Sequence, residues 1–147
     1  MTGRQLTEAL RALGVEAKSC HLVSLLPLVQ VAWADGQIQP KERQLILGVG
    51  QQFGLLRNGE EQILEEWMRE APSPFFLAHS QRVLLHLAKH ALLPSGVDRE
   101  AVVGWCWALA SAAGGLFGTR LMAVSAKEKE VIAQIARQLK VSAVPAG

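Results

Sequence analysis

The sequence predicts an all-α protein, a single compact bundle of about seven helices with a pseudo-repeated helix-turn-helix unit. Apolar residues recur at the three- and four-residue spacing of amphipathic helices, and the alternation typical of β-strands is nearly absent. Glycine and proline separate the helical stretches at short intervals. Half of the 147 residues are hydrophobic, which is enough for a buried core, and the short linkers predict one domain over residues 1–147.

The first three predicted helices occupy the N-terminal third of the chain. The first covers residues 2–13 and stops at Gly14. The second, residues 16–34, is apolar on almost every side, so we expect it at the centre of the bundle, with a kink at Pro27. The third covers residues 40–53 and begins with a proline, which suits the first helical turn.

The fourth and fifth predicted helices are separated by a proline-rich break at residues 72–74. Asn58 is a good N-cap for the fourth helix, and Glu61 lies three residues later, where it completes a capping box. The fifth helix reaches residue 93, in two pieces hinged near His79 and Ser80.

The sixth and seventh predicted helices begin at polar caps, Asp98 and Ser125. The sixth ends near Gly114, and the seventh fades after residue 139. The start of the seventh, Val-Ser-Ala-Lys-Glu at residues 124–128, resembles Ile-Gln-Pro-Lys-Glu at residues 38–42, which leads into the third helix. This internal echo predicts two related helical hairpins packed against each other.

Charge and cysteine content exclude several classes of protein. The 15 basic residues are scattered among 13 acidic ones without a basic stripe, so we expect no nucleic-acid partner. Residues 101–119 carry no charge, but they are rich in alanine and glycine, and we expect a buried helix and a glycine turn rather than a membrane span.

Cys20 and Cys106 lack metal-site spacing and predict reduced core thiols. With no signal peptide at the N-terminus, the expected location is the cytoplasm.

Catalytic motifs are absent from the sequence, and we expect no enzyme activity and no cofactor. It contains no nucleophile triad, no phosphate-binding loop and no dinucleotide fingerprint. His86 and His90 have the spacing of a zinc pair, with His79 two turns earlier. Arg82 and Lys89 oppose a cation there, and no further ligand lies nearby, so exposed histidines are expected. The four tryptophans are expected to pack in the core.

The turn at residues 34–42 is the most informative stretch. Asp35 precedes Gly36 at a helix C-terminus, where the exposed carbonyls make a negative charge unfavourable. Three explanations remain open. Asp35 and Glu42 could be local caps. They could be ligands of a divalent cation (calcium, magnesium, manganese or zinc), helped by the amides of Gln37 and Gln39. A cationic side chain of a partner could also dock there.

The fourth helix carries an excess of negative charge. Its like-charge pairs at four-residue spacing slightly destabilise the helix, which favours a basic partner or a shared ion. Five glutamates contribute: Glu60, Glu61, Glu65, Glu66 and Glu70.

Ala-Asp-Gly at residues 34–36, followed by Pro-Lys-Glu at residues 40–42, resembles the signature turn of the TerB-like family of helical domains linked to tellurite resistance. The resemblance is strongest over residues 22–55 and weaker over the rest of the chain. It implies a non-enzymatic binding or scaffold domain of a bacterial stress response, with a protein partner and with Asp35 and Glu42 as metal-binding residues. Residues 113–115 stand where a second Asp-Gly would be expected, so only the first half-site is expected to bind. The alternative is a structural interaction or self-association module without metal.

Overall fold

A computed structural model describes residues 1–57, 59–113 and 124–143, and within these ranges the secondary structure is entirely helical. Two 3-10 helices, Ala17–Leu25 and Trp33–Asp35, flank the second α-helix on either side. The all-α prediction is therefore confirmed. The α-helices of the described residues are α1 (Gly3–Ala12), α2 (Leu26–Ala32), α3 (Pro40–Gln52), α4 (Glu60–Arg69), α5 (Pro74–Lys89), α6 (Arg99–Ala113) and α7 (Ala126–Leu139).

The short helix α2 lies at the centre of the bundle, as its apolar sequence predicts. It packs against α6 most extensively, and also against α3, α4, α5 and α7. A helix contacted on nearly every side has little surface to offer water, which explains why its residues are apolar except for Gln30. Its buried residues are Leu26, Pro27, Leu28, Val29, Val31 and Ala32.

The predicted continuous helix over residues 16–34 is wrong. The chain forms a 3-10 helix, then α2, then a second 3-10 turn, and Ser19 departs from helical geometry with φ −111° and ψ 18°. Pro27 lies in the first turn of α2 rather than at a kink. The physical reason is that proline lacks an amide hydrogen, which the first helical turn does not need, so it starts a helix more easily than it bends one.

The predicted start of α4 is also corrected. Gly59, in left-handed geometry with φ +84°, occupies the N-cap position, and as a glycine it has no side chain that could cap the helix. Asn58 lies outside the described residues. The carboxylate that turns back to this helix start belongs to Glu60, whose Oε2 accepts the amide of Arg57, whereas Glu61 is exposed.

The fifth helix is continuous over Pro74–Lys89, without the predicted hinge. The Ser80 hydroxyl donates to the Leu77 carbonyl at 2.7 Å, which satisfies it without breaking the helix. A ring nitrogen of His79 lies 3.1 Å from the Ala9 carbonyl and links α5 to α1. The rings of His86 and His90 lie with centroids 4.3 Å apart and planes tilted by 40° at the end of the helix.

The uncharged run belongs, as far as it is described, to the core helix α6. Asp98 caps this helix by accepting the Ala101 amide at 2.7 Å, as predicted. The predicted glycine turn at Gly114 lies outside the described residues. The inward face of α6 is formed by Val102, Val103, Cys106, Leu109 and Ala110.

Within the described ranges, no individual helix has both the length and the apolar character needed to cross a membrane. One pair of segments, Gly3–Ala12 and Ala17–Asp35, meets the requirement only when taken together, and it is bent by 56°.

Candidate functional site

The turn after α2 places Asp35 at the end of a helical segment, as the sequence predicts. The 3-10 turn Trp33–Asp35 ends when the Gly36 amide donates to the Trp33 carbonyl at 2.9 Å. Gly36 has φ +92°, a left-handed conformation that glycine adopts without strain. The chain then runs to Gln39, the extended N-cap residue of α3.

Glu42 caps α3 from within the bundle. Its Oε1 accepts the backbone amide of Gln39 at 2.9 Å, and the residue is only 4% exposed. This bond confirms the prediction that Glu42 closes a capping box. Capping occupies one carboxylate oxygen, so it does not by itself settle what the other oxygen does.

Glu128 occupies the same position at the start of α7. Its Oε1 accepts the Ser125 amide at 3.0 Å, and its own amide donates to the Ser125 hydroxyl at 3.1 Å. The residue is 3% exposed, and its buried Oε2 has no hydrogen-bond partner. A buried carboxylate oxygen without a donor is costly, since it has lost water without gaining a replacement.

Asp35 links the turn after α2 to the start of α7. The Ser125 hydroxyl lies 3.4 Å from Asp35 Oδ1, across a separation of 90 residues, and the 3-10 turn packs against α7. The hydrogen bond to Asp35 therefore comes from another helix rather than from an amide of its own turn. The positive N-terminal end of α7 favours the Asp35 charge, which offsets the unfavourable position of that charge at the end of its own helical segment.

The three carboxyl groups of Asp35, Glu42 and Glu128, called here the carboxylate cluster, influence one another electrostatically. Burial raises the pKa of Glu42 to about 7, against the opposing bond from the Gln39 amide, and the charges of Glu128 and Asp35 raise it further. Burial also raises the pKa of Glu128, against its two bonds from Ser125, and the Asp35 charge adds to the increase. The charged forms of Glu42 and Glu128 are therefore disfavoured relative to those of exposed glutamates.

The other sequence-predicted helpers are not drawn into the cluster. Gln37 and Gln39 are exposed, and Gln39 contributes its backbone amide to the cap. The glutamates of α4 have partners elsewhere. Glu60 contacts Ser19 and His21, Glu65 bonds to Arg43, and Glu66 bonds to Arg69.

Glu128 was missed as a site residue, although the sequence carries a signal for it. The echo between residues 38–42 and 124–128 aligns Glu128 with Glu42, and two helix starts in equivalent positions of a repeated unit can face each other. The missing second Asp-Gly argued against a paired site. In the structure, Asp35 of the first turn instead contacts Ser125 at the start of α7. The spacing of residues within one unit does not predict this contact.

The carboxylate cluster is not a ready-made metal site. Across residues 1–57, 59–113 and 124–143, no group of three histidine, cysteine, aspartate or glutamate side chains is arranged so that it could hold a metal ion. The side chains of the cluster would have to turn to surround a cation. The available donors are all oxygens.

The described residues define an all-α domain in which two helices, α3 and α7, begin with equivalent caps, at Glu42 and Glu128. A family model described as "Tellurite resistance protein TerB" matches residues 21–145, which include both turns and most of the chain. The chain belongs to this TerB family, and the resemblance based on residues 34–42 is confirmed. No curated protein and no solved structure matches the sequence.

Proposed function

We propose that this TerB domain is a non-enzymatic cytoplasmic binding domain of a tellurite-type stress response, and that it holds a divalent cation at the carboxylate cluster. Asp35, Glu42 and Glu128 would be the ligands. A cation there would tie the turn after α2 to the start of α7, so that it would fix one surface of the bundle for a protein partner.

The observation that carries this proposal is the unpartnered Oε2 of Glu128, buried close enough to Asp35 to be affected by its charge. Glu42 is subject to the charges of both other carboxylates. Three neighbouring carboxylates, two of them buried, repel one another unless a proton or a cation neutralises part of their charge. A cation would supply the missing partner of Oε2 and relieve this repulsion.

The donor set favours a hard cation. Carboxylate and amide oxygens suit calcium, magnesium and manganese, whereas zinc sites in proteins usually contain histidine or cysteine. The exposed amides of Gln37 and Gln39 lie on the same turn and could supply further oxygens, with water completing the coordination. The oxygen donors of this cluster therefore offer zinc none of the ligands that its protein sites usually contain.

Protons compete with a cation for this cluster. Because the pKa of Glu42 is raised to about 7, its carboxyl is partly protonated at neutral pH and must lose that proton to bind metal. We expect the affinity for calcium or manganese to increase by about tenfold in total from pH 6 to pH 8, with most of the increase below pH 7, where the Glu42 proton must be displaced.

The test is thermal unfolding of chelator-treated protein at pH 7.5 with calcium, magnesium, manganese or zinc added separately. An ion that binds only the folded state raises the melting temperature. We expect calcium or manganese to raise it in the wild type, and the increase to be lost in Asp35→Asn and Glu128→Gln. Glu130→Gln, on the exposed face of α7, is the matched control and should keep the increase.

An unchanged melting temperature with all four ions would remove the metal from the proposal. An equal increase in wild type and in both cluster variants would place the ion elsewhere.

A second candidate function is a partner-binding or self-associating module without metal. The observation in its favour is that no three metal-ligating side chains are preassembled among the described residues. It predicts that light scattering shows a mass that grows with protein concentration and does not respond to chelator. A monomer at all concentrations would count against the self-association form.

A further inference from the structure

A cleft between the end of α4 and the start of α5 has no role in the carboxylate cluster. Its volume is about 280 Å³, and its floor is the link from Ala71 to Ser73. One wall is the last turn of α4, with Glu66, Trp67 and Glu70, and the other includes Phe76 of α5.

The apolar part of this cleft is held in place by packing. The rings of Trp67 and Phe76 meet edge to face, with centroids 6.4 Å apart and planes at 68°. Trp67 is 7% exposed, and its backbone carbonyl accepts the Trp33 indole N–H at 3.4 Å. The aromatic wall is therefore preformed, so a ligand would not have to order it on binding.

Phe75 lies beside Phe76 in the first turn of α5 and is 80% exposed, the highest exposure among the large hydrophobic side chains of the described residues. A phenylalanine left in water, one residue before a side chain that lines a cleft, is typical of a surface that a partner covers. Proline at the start of α5 and the Ser73 cap, which accepts the Phe76 amide at 3.1 Å, fix the position of this turn.

The polar part of the cleft is negative. Glu66 and Glu70 both line it, and no basic residue does. The carbonyl groups at the C-terminal end of α4 add partial negative charge at the same place. Glu66 is bonded to Arg69 at 2.6 Å, whereas Glu70 is exposed and has no ion-pair or hydrogen-bond partner among the described residues.

We infer that this cleft binds a basic, apolar peptide segment of a protein partner. An arginine or lysine side chain would lie with its aliphatic stem against Trp67 and Phe76 and its cationic group at Glu70, and an apolar neighbour would cover Phe75. Long cationic side chains suit such a cleft because their stems are apolar and their ends are charged. Phosphate-rich partners, such as nucleic acid or an anionic membrane, would be repelled by the Glu70 carboxylate, which no cation of the described residues neutralises.

The test uses a synthetic eight-residue peptide that alternates arginine and leucine, titrated into ¹⁵N-labelled full-length protein. Its control is the same peptide with citrulline in place of arginine, which keeps shape and removes charge. We expect amide shift changes concentrated at the end of α4 and the start of α5 with the arginine peptide, and at least fivefold weaker binding of the citrulline peptide, about the effect of one charge-assisted bond.

Substitutions of two exposed residues test whether the peptide binds at this cleft. Glu70→Gln and Phe75→Ala should each weaken binding of the arginine peptide by about fivefold, a single-contact effect. The two matched control substitutions should change the affinity for the arginine peptide by no more than about twofold, since neither residue touches the cleft. Glu61→Gln removes the same charge from the exposed part of α4, and Leu92→Ala removes another exposed apolar side chain.

Equal binding of the arginine and citrulline peptides, or an equal loss in Glu61→Gln and Glu70→Gln, would overturn the inference. Phe75-dependent binding to anionic phosphatidylglycerol vesicles without peptide binding would also overturn it, in favour of a membrane contact.

Discussion

Glu42 and Glu128 each combine structural and electrostatic roles in one carboxyl group. One oxygen of each caps a helix start, at 2.9 Å for Glu42 and 3.0 Å for Glu128. Both side chains are buried near Asp35, so their charged forms are disfavoured. The caps therefore hold the carboxyl groups in position, while burial raises their pKa values.

Glu42 makes the stability of this domain depend on pH. Its pKa is raised from 4.5 to about 7 on folding, so the folded state binds its proton more tightly than the unfolded state. This contribution is fully present below pH 4.5 and is lost as the pH increases through 7, at a cost of about 3 kcal/mol in unfolding free energy. Glu42→Gln should flatten that decline, because glutamine keeps the cap acceptor without the charge.

The measurement is urea unfolding of metal-free wild type and Glu42→Gln at several values between pH 4.5 and pH 8. The difference between the two proteins isolates Glu42 from other titrating groups. A constant difference across that range would show that Glu42 does not titrate as described. Glu130→Gln, with an exposed side chain, serves as the control.

Glu60 links the N-terminal segment to α4 through three contacts. Its Oε1 accepts the Ser19 hydroxyl at 3.1 Å and lies 3.2 Å from His21 Nε2, while its Oε2 accepts the Arg57 amide. Glu60 is 2% exposed. Glu60→Ala leaves a buried hydroxyl and an amide without their acceptor, so we expect a loss of about 2–3 kcal/mol in urea unfolding.

The adjacent Glu61 provides the control because it is exposed. Glu61→Ala should change the unfolding free energy by no more than about 0.5 kcal/mol. Equal effects of the two substitutions would mean that the Glu60 contacts contribute nothing beyond helix charge.

Between elements, the decisive feature is the left-handed turn at Gly36. A Cβ there would meet no atom within 4 Å, so the cost of substitution comes from the backbone alone. Gly36→Ala should lower the unfolding free energy by about 1 kcal/mol, since alanine is strained at φ +92°. Gly48→Ala, on the exposed side of α3, should instead raise it by about 0.5–1 kcal/mol.

Chemical unfolding of both glycine variants under identical conditions checks this pair. The two substitutions are expected to change the unfolding free energy in opposite directions, although both positions have open space for a methyl group. A Gly36→Ala variant as stable as Gly48→Ala would show that the turn does not require its left-handed conformation.

At the scale of the whole molecule, the fold was largely predictable and the site only in part. The starts of α3, α6 and α7, at Pro40, Asp98 and Ser125, could be predicted because a cap depends only on residues within one helical turn. The break before Pro27 was missed because a uniformly apolar segment does not reveal where its helical geometry changes. The contact between Asp35 and Ser125 depends on tertiary packing, which local patterns do not encode.

The central position of α2 predicts where the molecule is least tolerant of change. Leu28 is fully buried in a helix that contacts five others, so Leu28→Ala should cost about 2–5 kcal/mol in calorimetric or urea unfolding. Leu92→Ala, at a side chain that is 47% exposed, should cost much less. Similar losses for both would contradict the assignment of α2 as the core of the bundle.

The central claim is that two turns far apart in sequence form one cation site. Manganese-induced broadening of backbone amide signals, followed on chelator-treated ¹⁵N-labelled protein at pH 7.5, tests it most directly. The claim predicts that signals around Gly36, Glu42 and Ser125 broaden together at the lowest manganese concentrations, and that Glu128→Gln abolishes this. Broadening centred on the α4 glutamates, or the same pattern in Glu128→Gln, would contradict it.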